Sequence, residues 1–209
     1  MGAVLHPAKL GYISVKNMNK ARLEAFSDGV FAIIITIMVL EIKVPHGADW
    51  PSLRPLAPVF ISYLVSFMYV GIYWGNHHHL LHAARKVSSG MMWANLLLLF
   101  WLSLIPFVTG WAGENHFAPD TMILYSAILF LCGISFTCLQ LSIQKSNPAS
   151  PQLQEAFAKV KMKGIVSLLG YTAAALAAHI HPAISGAIIV AMGCIWLIPD
   201  RHLEKAMKE

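Results

Sequence analysis

Polar and apolar positions along this chain fall in long blocks, not in the short alternation of a soluble domain. From Gly29 to Leu40 there is one hydroxyl, Thr36, and no charge. Similar apolar segments lie near 24–44, 55–76, 92–112, 121–142, 163–180 and 182–199. A membrane-crossing helix needs about 20 mostly apolar residues. The pattern therefore predicts an all-α polytopic membrane protein with six transmembrane helices. The last two segments are short, and His181-Pro182 between them reads as a tight turn; if it is a kink instead, the count falls to five. Pro58 sits early in the second segment, and Pro106 and Gly110 interrupt the third.

Little chain remains outside these segments. The longest connection, Ser146 to Gln152, is rich in Pro and Ser and leads to the lysines of 155–163, which suit an anionic membrane surface. No soluble catalytic domain, nucleotide loop or phosphate cradle is visible. No internal duplication is visible either, so any symmetric assembly must come from several copies of the chain.

Composition agrees with the blocks. The chain is 57% hydrophobic and 12% charged, against roughly twice that charge in soluble domains. Charge then orients the bundle. With six spans, 13 of the 15 basic residues share one side, leaving only Lys43 and Arg54 on the other. The positive-inside rule makes the crowded side cytoplasmic and places both termini there. The expected organisation is a cytoplasmic segment over 1–20, a six-helix membrane domain over 21–200 and a cytoplasmic tail over 201–209. The first 20 residues show no signal-peptide core. The net charge of +5 follows from this topology and requires no nucleic-acid partner. Cys132, Cys138 and Cys194 fall inside spans and read as packing residues.

Candidate chemistry concentrates at the start of the first span, where Arg22, Glu24, Ser27 and Asp28 stand at the threshold of the apolar run. Such groups are costly in a membrane unless paired. On a helical wheel at about 100° per residue, Ile33, Ile37 and Leu40 form one stripe with Thr36 beside it. Asp28 falls on the opposite side with Phe31 and Ile35, where Arg22, a histidine or an indole N–H would satisfy it. Glu41, near the far end, either raises local cation concentration or is an exposed interfacial carboxylate, the latter being the expectation.

Arg22, Phe26, Ser27 and Asp28 form an RxxxFSD segment, which resembles the signature of the transmembrane protein 175 family of potassium channels. Trp74-Gly75-Asn76-His77-His78 is similar to that family's tryptophan–histidine segment on the second helix. The resemblance implies a prokaryotic homotetramer in the plasma membrane, with a pore on the four-fold axis lined by the first helix of each subunit. It puts Ile33, Ile37 and Leu40 on the pore, Thr36 next to the narrowest ring, and Arg22, Phe26, Ser27, Asp28, Trp74 and His77 in a structural lock. The implied activity is passive conduction of potassium, with no cofactor and no bound metal. No TVGYG-like loop is present, so selectivity over sodium should be modest and gating should follow dewetting of the aliphatic ring.

Two other classes compete. His77, His78, His79 and His82 form the strongest metal-like constellation, which a membrane histidine-cluster metal enzyme would use. The second histidine pair, His179 and His181, falls on the opposite membrane side, and His6, His46, His116 and His202 are isolated. The plainer expectation is His77 packed on the motif and the other three solvated. A secondary carrier would show inverted repeats with paired helix breaks; Pro58 and Pro106 form no such pair.

Overall fold

The computed structural model describes residues 19–147 and 150–197, so residues 1–18, most of the expected N-terminal segment, and the whole expected tail lie outside them. The described chain is helical: α1 (Lys20–Leu40), a 3₁₀ turn (Trp50–Leu56), α2 (Ala57–His82), α3 (Ser89–Leu102), α4 (Ile105–Glu114), α5 (Pro119–Ser146), α6 (Pro151–Ala178) and α7 (Pro182–Leu197).

The helix starts are written locally. The side chains of Asn19, Ser88 and Ser150 accept hydrogen bonds from the first-turn amides of Ala21, Met91 and Leu153. Proline opens α5, α6 and α7, where a missing N–H costs nothing. Asn147, just after α5, folds back so that its Oδ1 accepts from the amides of Arg85 and Lys86 at 2.7 and 2.8 Å. That bond fixes the loop between α2 and α3.

Among the described residues, five passages are long and apolar enough to cross a membrane: α1, the 3₁₀ turn with α2, α3 with α4, α5, and α6. The sixth apolar segment, α7, is a shorter apolar helix with 16 described residues. The turn before it is real and not a kink. Gly170 packs on Met192 and the indole of Trp196 donates to Ser167 at 2.7 Å, so rising numbers in α6 meet falling numbers in α7. The third passage is also not one helix. It breaks at Ser103–Leu104, because Pro106 has no N–H to continue the ladder and its ring would crowd the Leu102 carbonyl.

α5 occupies the centre, packing on α2, α3, α4, α6 and α7, while α1 packs on α2, α3 and α4. The core between them is aliphatic and aromatic, including Met91, Leu98, Leu102, Leu129, Tyr69 and Tyr171. Within it three polar side chains meet: Ser66 Oγ lies 2.7 Å from Tyr125 Oη and 2.6 Å from Thr109 Oγ1. Only 28% of the most apolar stretch of α1 is buried, so this helix keeps most of its surface outside its own bundle.

Candidate functional site

One face of α1 holds it to the subunit. Leu23, Ser27, Phe31, Ile34 and Met38 are buried and recur every three or four residues, as a single helix face requires. Ser27 is the polar member. Its hydroxyl donates to the Leu23 carbonyl at 2.8 Å and accepts from Asn95 Nδ2 at 2.9 Å. Asn95 Oδ1 in turn lies 2.6 Å from His77 Nε2. Since the amide oxygen only accepts, His77 carries its proton on Nε2. These hydrogen bonds tie α1, α2 and α3 together through one buried polar contact. The ring of Phe31 covers His77 at 5.4 Å.

Asp28 stands outside this core. Its carboxylate accepts from the Trp74 indole at 2.9 Å, and both residues are exposed on the subunit surface. Of the three partners open from sequence, the indole is the one the structure uses. Arg22 and Phe26 are also exposed, and Arg22 forms no ion pair with Asp28. The six lock residues therefore divide into two groups. Ser27 and His77 are buried within the subunit, while Arg22, Phe26, Asp28 and Trp74 lie on its surface. Asn95 was missed from sequence, although a lone amide inside the run from Met91 to Leu102 was a readable signal.

The opposite face of α1 carries Ile33, Thr36, Ile37 and Leu40, all exposed, with Leu40 at 76%. Thr36 donates its hydroxyl hydrogen to the Ile33 carbonyl at 2.9 Å, which leaves the oxygen lone pairs directed away from the backbone. Beside this stripe runs a crevice of about 370 Å³ between α1 and α4, lined by Val30, Ile33, Ile37, Pro106, Phe107 and Glu41 among others. Glu41 rests against Gly110 of α4: a methyl group there would lie 2.8 Å from its Oε2. Glu41 is thus half-buried in the crevice, not the freely exposed carboxylate expected from sequence. Nearby, Lys43 pairs with Glu114 on the end of α4, and that carboxylate holds the Lys43 ammonium above the usual lysine range.

The histidines do not converge. His77 is committed to Asn95, while His78 and His82 stack at 6.1 Å on the surface of α2. Among the described residues no group of three His, Cys, Asp or Glu side chains is placed to hold a metal ion.

These features define an α-helical integral membrane protein whose first helix is bonded to its bundle along one face and bares an aliphatic stripe along the other. The chain belongs to the TMEM175 family. The family model described as endosomal/lysosomal potassium channel TMEM175 matches residues 22–106. A protein from Chryseobacterium sp. (strain P1-3) named as a potassium channel is 47% identical, over 92% of this chain and 100% of its own length. The mouse endosomal/lysosomal proton channel TMEM175 is 28% identical over 80% of this chain, which spans 38% of the mouse protein. Among solved structures, the crystal structure of a lysosomal potassium-selective channel TMEM175 homolog from Chamaesiphon minutus superposes with a TM-score of 0.76 at 26% identity, covering 86% of this chain and 96% of that one.

Proposed function

We propose that this protein is a potassium-permeable cation channel, built from four copies around an axis lined by α1. The observation that carries this reading is the two-faced character of α1. One stripe is bonded into the subunit, and the other leaves Ile33, Ile37 and Leu40 exposed on the subunit surface. Membership of a family whose relatives are named as channels supplies the class and argues against an enzyme.

Rings of isoleucine and leucine cannot replace the water around a cation. An ion therefore passes partly hydrated through a wide state, and a narrow state closes by dewetting. Potassium sheds water more readily than sodium, which gives a modest preference. Thr36 adds oxygen lone pairs next to the aliphatic rings. No cofactor takes part, and potassium is only a transient occupant. The distribution of lysine and arginine supports both termini in the cytoplasm of a prokaryotic cell, with the Glu41 end of α1 outside.

The test is potassium flux into liposomes containing purified protein, with no metal or cosubstrate added; a protein that passes none would sink the reading. Cysteine placed singly at Ile33, Ile37 and Leu40 should make conductance sensitive to a soluble thiol reagent, and inert cysteines at all three would displace the pore from this stripe. Thr36→Val should lower the potassium preference in bi-ionic reversal potentials while Thr36→Ser retains it. Equal ratios in all three proteins would leave ion dehydration at the aliphatic rings as the sole source. Ile33→Asn should keep the constriction wet, raising conductance and lowering selectivity.

A further inference from the structure

We infer that Glu41 sets the supply of cations to the conduction path, held at its mouth by the missing side chain of Gly110. The inference rests on the channel reading above and adds a residue that determines conductance. Glu41 follows directly on α1, one turn beyond Ile37, and lines the same crevice as Ile33 and Ile37. It is the only ionisable group among the residues lining that crevice. The adjacent ammonium, Lys43, forms its ion pair with Glu114 and feels Glu41 only as a weaker, through-space charge, and Glu41 forms no ion pair among the described residues.

The contact with Gly110 locates the carboxylate. Any side chain at position 110 would occupy the space of Oε2, with the first carbon 2.8 Å away. The glycine lets the acid lie flat against α4 beside the aliphatic stripe. In the assembly, four such carboxylates surround the mouth. A ring of one sign beside low-dielectric walls concentrates counter-ions there. Lys43 opposes this field, and Glu114 restrains Lys43.

An electrostatic supply role has a signature that packing does not share, namely dependence on ionic strength. Single-channel conductance of E41Q should fall about threefold below wild type at about 0.01 M potassium and match it near 1 M, where the Debye length shrinks from roughly 30 Å to 3 Å. The loss should be larger for current entering from the Glu41 side. Lys43→Gln should shift low-salt conductance upward. Gly110→Ala, which displaces the carboxylate without removing it, should reproduce part of the E41Q loss with the same salt dependence. A conducting wild type whose E41Q variant is unchanged at low salt, or equally reduced at both salt concentrations, overturns the inference and leaves the channel reading standing. A wild type that passes no potassium overturns both.

Discussion

Ser27 shows how a small side chain outweighs a conspicuous one. Asp28 draws the eye in the sequence, yet Ser27 is the fully buried member of the pair. The wheel alone separated the two but could not rank them, because burial depends on which neighbour arrives, and Asn95 lies 68 positions away. Trp74→Phe should lower stability by less than about 1 kcal/mol, since water can replace the indole at an exposed carboxylate. Asn95→Leu leaves the His77 N–H unpaired in a dry interior and should cost about 1–3 kcal/mol. Pairing it with His77→Phe should recover part of that loss. Thermal unfolding in detergent separates these cases, and equal losses for Trp74→Phe and Asn95→Leu would contradict the division between buried and exposed halves.

At the scale of elements, glycines distinguish close packing from room for a movable group. A methyl at Gly113 would stand 2.6 Å from the backbone Cα of Val59, so α2 and α4 must part to admit it. Gly113→Ala should cost about 1–3 kcal/mol, whereas Gly110→Ala meets the flexible side chain of Glu41, which can swing aside, and should leave the melting temperature nearly unchanged. Matching shifts in the two variants would mean that the α1–α4 crevice is as tight as the α2–α4 contact. Long apolar blocks made the helices legible in advance. Their interruptions were less so: Pro106 announced a break in the third passage, but proline also sits comfortably in a first turn, so its presence could not say which side of it would unwind. The α6–α7 turn was readable because His181-Pro182 both ends one helix and opens the next. Its imidazole accepts from the Ala183 amide at 3.2 Å.

For the whole molecule, the lysine and arginine distribution predicts sidedness. In a variant whose native cysteines are replaced by serine, a cysteine at His116 should react with a membrane-impermeant thiol reagent from outside the cell, and one at Arg85 only from inside. The reverse pattern would invert the molecule. Periodicity gives no reading of oligomeric state, since an exposed aliphatic stripe fits lipid as well as a neighbouring subunit; the expectation of a tetramer rests on the resemblance of the RxxxFSD segment.

The lock of Ser27, Asn95 and His77 sits near one end of α1, and that position has a mechanical consequence. From Ser27 to Leu40 the helix runs about 20 Å. The far end is seated as well, because Met38 is fully buried there. Between a polar anchor at Ser27 and an apolar one at Met38, α1 resembles a beam held at both supports, and the exposed residues Ile33 and Ile37 lie on the stretch between them.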